Sequence, residues 1–515
     1  MSSAPEDKPP QLDSFFNPGS VAIVGASYAP EKLGFGILNN IIESGFKGDI
    51  YPINPRGGEI LGRKAYTGIT EVAGEIELAI IVIPARRVIE TVRECGAKGV
   101  KAVIVISAGF GEVGVDGAHL EQELKAVAQE NGIRIIGPNC LGMIDTICPI
   151  NASFAASMPE RGGIAFMSQS GALCTAVLDL AVAEGIGFSR FVSLGNKVDV
   201  DEATLLREWK DDDETEVVLA YIEGLPDGRA FIDRAREVSL KKPVIALKSG
   251  TTEAGSRAVS SHTGSLAGSE RAYEAAFKKA GVLRAESLRD LFDWGLAFAY
   301  QPLLKGPNIA VITNAGGPGI LATDGLERVG LHLAQLDPKT VEVLRAGLPP
   351  AANVYNPIDV LGDAPAERYA LALKAALDDP GVDGLIVMLT PQVMTQIPET
   401  AELAAELVGQ YDKPIIGCFM GQEKIRAGEE VLNRNRIPNY RSPDRAVSVL
   451  QAMWHYRQYL EQPKPAPDVF DVNHEAVRKI LDDVRGEGRV TLAEAEARGI
   501  LAAYDIPLPE SRLAR

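Results

Sequence analysis

Short β-branched apolar runs, each followed by a glycine-bearing turn and then a stretch of helical periodicity, recur along the whole 515-residue chain. This alternation predicts an α/β protein built on parallel sheets, because a parallel strand needs a crossover helix to return to the same sheet. In the first third, VAIVGAS (21–27), GDIYPINP (48–55), LAIIVIPA (78–85), KAVIVISAG (101–109) and IRIIGPN (133–139) are continuously apolar. Strands covered on both faces read that way, so these five predict a doubly wound, Rossmann-like sheet, assigned to residues 11–150. A second set, GGIAFMSQSGAL (162–173), GFSRFVSLGN (187–196), EVVLAYIEG (216–224) and KPVIALKSG (242–250), predicts a flavodoxin-like sheet over 151–300. After YQPLLKGP (300–307) comes a third set, NIAVITNAGGPG (308–319), DGLIVMLTP (383–391) and KPIIGCFMG (413–421). With the closing helical stretch at 446–460 it predicts a second flavodoxin-like domain over 301–462.

The second and third sets open alike, with a strand, then SQSG or NAGGPG, then a helix. Internal duplication and convergence on a common strand–turn–helix solution both account for that. The proline-rich stretch EQPKPAPDVFDV (461–472) predicts a linker, and two helical stretches follow within the last 43 residues. Residues 463–515 are therefore set apart as a segment too short to bury a stable core alone.

Length agrees with this division, at roughly 100 to 200 residues per domain. Apolar residues at 46% and charged residues at 23% are those of an ordinary globular chain. A net charge of −17 without a long Lys/Arg block argues against nucleic acid or an anionic membrane as partner. Cys95, Cys140, Cys148, Cys174 and Cys418 form no CxxC pair and no metal-ligand spacing, which predicts reduced thiols in cytoplasm and no metal site. The start of the chain lacks a basic-then-apolar signal pattern, and no apolar run approaches the roughly 18 residues of a membrane helix. A soluble, unexported protein is the expectation.

Three turns carry candidate chemistry. The first, GASYAPEKLGFGI, matches a dinucleotide fingerprint only loosely through Gly25, Gly34 and Gly36. A nicotinamide site would want an acid at the end of the next strand, yet Asn54, Pro55 and Arg56 stand there, an ending better suited to a phosphorylated ribose. A turn without a ligand stays open. In the second turn, SQSGAL (168–173), hydroxyls and a glycine stand where a strand yields to a helix, a place that offers N–H donors and a positive dipole end to an anion. The hydrolase elbow G-x-S-x-G is disfavoured because Ser168 occupies its first glycine position. In the third, SSHTGSLAG (260–268), His262 lies among small residues that let a phosphate or a moving partner come close. An imidazole nitrogen there can attack phosphorus and form a phosphoramidate, or it can simply cap the helix that follows. His119, His332, His455 and His474 fall on helical or amphipathic stretches and read as ordinary surface or core. Glu223 ends a strand, where it either orients His262 by accepting its second N–H or is a solvated loop charge.

GASYAPEKLG, YPINPRGGEILG, IVIPA, GPNCLG, SQSGAL, SLGNKVDVD and SSHTGSLAG follow one another in an order and spacing that resemble the α part of the nucleoside-diphosphate-forming acyl-CoA synthetases. That family includes ADP-forming acetyl-CoA synthetase and its relative succinyl-CoA synthetase, and the resemblance spans about 450 residues. It implies a CoA-binding Rossmann-like domain followed by two flavodoxin-like ligase domains. By the same resemblance His262 is the phosphorylated histidine and Glu223 the glutamate that steadies it. Ser168, Gln169, Ser170, Gly171, Gly195 and Asn196 match positions that hold phosphate. Gly25, Ala26, Ser27, Lys32, Asn54, Pro55, Pro84, Asn139 and Cys140 match positions that line CoA. The implied reaction converts acyl-CoA, ADP and phosphate to acid, CoA and ATP. VTLAEAEARGILAAYDIPLPES resembles the opening of the family's ATP-grasp domain, with no Walker A sequence elsewhere to replace it. ADP/ATP and Mg²⁺ are accordingly expected only with an ATP-grasp β subunit, in an αβ or α₂β₂ assembly, or with the remainder of a truncated fusion. The other reading is a CoA-binding regulatory scaffold that kept the fold and lost turnover.

Overall fold

In Ser20–Val24 (β1) every residue is buried, as a strand covered on both faces must be. The computed structural model describes residues 12–257, 269–463 and 472–509; the His262 loop and most of the predicted linker lie outside them. Beside β1 stand Asp49–Ile53 (β2), Leu78–Ile81 (β3), Ala102–Val105 (β4) and Arg134–Ile136 (β5), all parallel, in the order β2-β1-β3-β4-β5. The winding reverses between β1 and β3, which opens a crevice at their carboxyl ends. Helices Leu33–Glu43 (α1), Ala85–Lys98 (α2) and Val115–Asn131 (α3) make the crossovers.

The second sheet has seven strands, three of them beyond the predicted set. Gly142–Asp145 (β6) and Ile150–Ser153 (β7) form an antiparallel hairpin on its edge, followed in sequence by Arg161–Ser168 (β8), Phe188–Ser193 (β9), Val217–Ile222 (β10), Val244–Lys248 (β11) and Leu283–Ala285 (β12). The order is β12-β11-β10-β8-β9-β6-β7. GMID and INAS carry no β-branched run, so only their tertiary pairing makes them strands. The hairpin also anchors the first sheet to the second, since Asn40 of α1 donates to the carbonyls of Ser153 at 2.9 Å and Ala155 at 2.7 Å. One continuous core runs from Val21 and Ile80 through Met143 to Val218.

In the third sheet Asn308–Thr313 (β13) lies between Gly384–Leu389 (β16), itself paired with Ile415–Phe419 (β17), and two short strands, His332–Leu333 (β14) and Ile358–Asp359 (β15). His332 thus sits on an edge strand, exposed. Helix Leu288–Tyr300 (α6) follows the last strand of the second sheet and packs on that sheet, and Arg445 of Pro443–Glu461 (α8) grips its Asp293 with two bonds of 2.6 and 2.7 Å. A second core joins these layers, from Ile144 and Phe166 to Ile386 and Met453.

Residues 461–515 form a separate compact unit. Its helices His474–Gly486 (α9) and Glu494–Ala503 (α10) are joined through Arg489, which bonds Glu487 at 2.7 Å and Glu496 at 2.6 Å. Among its described residues Val484 is buried, while Val490, Leu492, Leu501, Tyr504 and Ile506 are exposed.

Candidate active site

Strand β8 delivers Ser168 to the carboxyl edge of the second sheet, and Gly171–Glu184 (α4) starts three residues later. Ser168 Oγ accepts the Ser170 N–H and donates to the Ser170 carbonyl, both at 3.1 Å, which closes the turn tightly. Ser170 then caps α4 by accepting the Leu173 N–H at 3.3 Å. The N–H groups of Gly171 and Ala172 have no intrahelical acceptor, so the turn ends in donors at the positive end of the helix.

Gln169 does something different from what its place in SQSG suggests. Its Oε1 accepts the N–H groups of Glu223 at 2.9 Å and Gly224 at 3.0 Å, and its Nε2 donates to the Gly224 carbonyl at 2.8 Å. The side chain therefore ties the end of β10 to the end of β8. Glu223 is placed beside the SQSG turn, 8% exposed, and its carboxylate has no hydrogen-bond partner among the described residues. Behind the clamp lies a buried ion pair that sequence patterns did not single out. Lys197 Nζ donates to Gly224 O at 2.7 Å and to Glu202 Oε1 at 3.2 Å, and the same oxygen accepts from Gln169 Nε2. Glu202 begins the helix Glu202–Trp209 (α5) and is 1% exposed; burial pushes its carboxyl up, and Lys197 only partly offsets this.

The CoA-matched residues gather on the carboxyl edge of the first sheet, Gly25 to Ser27 after β1, Asn54 and Pro55 after β2, Pro84 after β3, and Asn139 and Cys140 after β5. Gly25 has φ +100°, and a Cβ on it would meet Val82 O at 2.5 Å, so the turn admits only glycine. A Cβ on Gly34 would lie 2.0 Å from Gly25 O, which shows how closely α1 crosses the turn. Gly36 has open space beside it and carries no such demand. Asn54 donates to Ala26 O at 2.7 Å and accepts the Arg56 N–H at 2.9 Å, binding the first two strand ends together. Ser27 Oγ accepts the Ala29 N–H at 3.1 Å; Lys32, Pro55 and Pro84 are exposed. The Cys140 thiol faces inward to Val105 O at 3.4 Å and is pushed up to about 12 by burial, so only its backbone can meet a ligand.

The two edges adjoin. Asn196 N–H donates to Pro138 O at 2.9 Å and Val198 N–H to Gly137 O at 3.0 Å, zipping the loop after β9 along the end of β5. Gly195 permits this at φ +58°, since a Cβ there would stand 2.2 Å from Pro138 O. The Asn196 side chain accepts from Asn139 at 3.3 Å and donates to Glu112 at 2.7 Å and Glu121 at 2.8 Å, so its amide is held by three neighbours. Burial works to raise the Glu112 carboxyl, but the Gly109 N–H and Asn196 bring it below its ordinary value. Leu141 N–H reaches Ser193 Oγ at 3.0 Å, and a Cβ on Gly171 would lie 3.5 Å from that same Leu141 nitrogen. The chain after Asn139 therefore passes directly by the start of α4. The structure brings together the SQSG turn, Glu223, Gly195, Asn196 and Asn139; His262 lies outside the described residues. Lys197, Glu202, Glu112 and Glu121 were missed, because nothing in their spacing marks them and only the folded chain assembles them. Among the described residues no cluster of His, Cys, Asp or Glu could hold a metal ion.

Family models for a CoA binding domain, a succinyl-CoA ligase like flavodoxin domain and a ligase-CoA domain match residues 19–146, 161–298 and 309–461. The α subunit of acetate–CoA ligase [ADP-forming] II of Pyrococcus furiosus is 45% identical over 446 residues, 86% of this chain and 97% of its own. Acetate–CoA ligase [ADP-forming] I of Archaeoglobus fulgidus is 41% identical over 505 residues, which cover 98% of this chain and 72% of that longer one. Among solved structures, acetyl-coenzyme A synthetase 1 of Ca. Korarchaeum cryptofilum, in complex with phosphate and ADP, superposes with a TM-score of 0.84 at 39% identity, covering 87% of this chain and 98% of that one.

Proposed function

The chain belongs to the ADP-forming acetate–CoA ligase family, and from that premise we propose that it is the α-type component of an ADP-forming acyl-CoA synthetase working through a phosphohistidine. CoA and its thioester bind along the carboxyl edge of the first sheet, on the Gly25 turn and the Asn54 and Asn139 ends. Phosphate sits at the start of α4, where the Gly171 and Ala172 N–H groups and the helix dipole favour an anion. A phosphate oxygen attacks the thioester carbonyl carbon; the C–S bond breaks, CoA leaves as a thiol, and an acyl phosphate forms. The imidazole nitrogen of His262 then attacks phosphorus, the P–O bond to the acyl group breaks, and the acid leaves. Glu223 accepts the other ring N–H and stabilises the positive charge the ring gains. The phosphoryl group finally passes to ADP.

One observation carries this reading: Gln169 holds the Glu223 turn against the phosphate-type helix start at a point where the CoA edge of the first sheet also arrives. Nucleotide and Mg²⁺ belong to an ATP-grasp part, as a β subunit in an αβ or α₂β₂ assembly or as further sequence in a fused chain. Relatives of both kinds exist, a separate α subunit and a longer single chain. The five thiols are free in the structure, in keeping with a cytoplasmic enzyme, and no helix among the described residues is long and apolar enough to cross a membrane. A purely regulatory CoA scaffold is not favoured, since these relatives bear the names of ligases.

The test is release of CoA thiol from acetyl-CoA by the purified chain. A phosphate-dependent burst of about one thiol per chain is expected, as for a step that leaves the enzyme covalently modified. Release that proceeds equally well without phosphate would mean hydrolysis and overturn the assignment.

A further inference from the structure

The Lys197–Glu202 pair is an unusual way to close a loop. Both charges are withdrawn from water, with the Lys197 side chain 11% and the Glu202 side chain 1% exposed. A buried ion pair is weak as a stability device, because the cost of desolvation offsets much of the attraction. Lys197 moreover sits at φ +61°, a region that non-glycine residues enter rarely. The third sheet shows that the charges are not needed to make this kind of turn. There Asn314 Oδ1 accepts the Thr390 N–H at 2.8 Å and its Nδ2 donates to Thr390 O at 2.9 Å, and the remaining partners, Thr395 and Gln392, are neutral. Thr390 occupies there the position that Glu223 occupies in the second sheet, directly after the neighbouring strand.

The bonds of the charged pair converge on one target. Lys197 reaches the Gly224 carbonyl, Glu202 steadies both Lys197 and the Gln169 amide, and Gln169 holds both N–H groups of Glu223 and Gly224. The bonds to the Glu223 N–H, the Gly224 N–H and the Gly224 carbonyl thus depend on the pair directly or through Gln169, while Ser249 holds the Ile222 carbonyl before them and Tyr273 the Leu225 N–H after them. We infer that Lys197 and Glu202 are positioning residues for Glu223: they lock the backbone that carries its carboxylate, so that the carboxylate is presented in one geometry. The inference rests on the reading that Glu223 supports phosphorylation of His262.

Lys197→Met, Lys197→Arg and Glu202→Gln, each made with Glu223 present and in a Glu223→Gln background, test it by rapid-quench measurement of phosphoryl transfer from acetyl phosphate to the protein, with CoA affinity measured alongside. Lys197→Met is expected to slow labelling about tenfold with Glu223 present and by less than about twofold in the Glu223→Gln background, because residues acting through one group are not additive. Lys197→Arg keeps charge and donors and should stay within about threefold of the parent rate. CoA affinity should be unchanged throughout. Equal slowing in both backgrounds would show a general structural role and overturn the inference, as would an unaffected rate in folded, CoA-binding Lys197→Met. If that variant fails to bind CoA, Glu202→Gln decides: background-dependent slowing supports positioning, and an unchanged or background-independent rate overturns it. Absence of label on His262 in the parent chain would instead defeat the phosphohistidine reading itself.

Discussion

The second and third sheets close the same turn twice with different chemistry. Ser168 Oγ bonds the backbone of Ser170 in both directions at 3.1 Å, and Thr313 Oγ1 does the same with Ala315 at 2.9 and 3.0 Å. The next side chain is an amide in both, Gln169 or Asn314, and in both it clasps the residue that follows the neighbouring strand, Glu223 or Thr390. From there the two diverge. The second-sheet turn has a serine cap, a buried carboxylate and a buried ion pair; the third-sheet turn begins its helix, Gly316–Arg328 (α7), at Ala315 with no side-chain cap and neutral partners. The shared hydroxyl and amide therefore belong to the scaffold, and the groups unique to the second turn are those to which chemistry is assigned.

Substitutions at matched positions should separate scaffold from chemistry. The largest effect is expected from Glu223→Gln, which preserves shape and removes charge: transfer to His262 should slow by roughly 10²-fold, in the range for loss of an acid–base partner, with CoA binding unchanged in titration calorimetry. An unaffected rate would return Glu223 to the status of a loop charge. Asn314→Leu at the third-sheet turn should behave in the opposite way. Asn314 is 3% exposed, and its loss leaves the Thr390 N–H without its acceptor while the Thr390 carbonyl keeps the Gln392 N–H at 2.9 Å, a cost of about 2 kcal/mol in urea unfolding. Labelling of His262 should stay within about threefold of the parent rate. A collapse of labelling in that variant would erase the distinction between the two turns.

The smallest effect is a pH dependence. Burial raises the Glu202 carboxyl above its ordinary 4.5, so the folded chain holds that proton more tightly than the unfolded chain does. The stability contributed by this group is fully present below pH 4.5 and is lost as pH rises through the raised folded value. Unfolding midpoints followed from pH 4 upward, about the range in which a raised carboxyl titrates, should show the parent losing stability relative to Glu202→Gln. The parent's margin over Asn314→Leu should stay flat, because no titratable group takes part in that clamp. An opposite slope for Glu202 would mean that Lys197 outweighs burial.

The layout of sheets was legible because continuously apolar runs such as LAIIVIPA and EVVLAYIEG can only be strands buried on both faces. The hairpin at Gly142–Asp145 and Ile150–Ser153 was not, since four-residue strands bearing Asp, Asn and Ser owe their pairing to neighbours far away in sequence. The site divides in the same way. SQSG and Glu223 stood out because turn chemistry is local, whereas the role of Gln169 as a clamp, and of Lys197 and Glu202 behind it, arises only when strand ends more than 50 residues apart are brought side by side. The Cys140 match illustrates the converse: the position lies on the carboxyl edge of the first sheet, but its thiol points into the core.

The most direct test of the account is to locate the phosphoryl group. The chain is incubated with labelled acetyl phosphate, the label is characterised by its stability in acid and base, and the modified peptide is mapped. An acid-labile, base-stable phosphoryl group is expected on His262, present in the parent chain and absent from His262→Ala. Label on Ser168 or Ser170, or label that survives in His262→Ala, would contradict it.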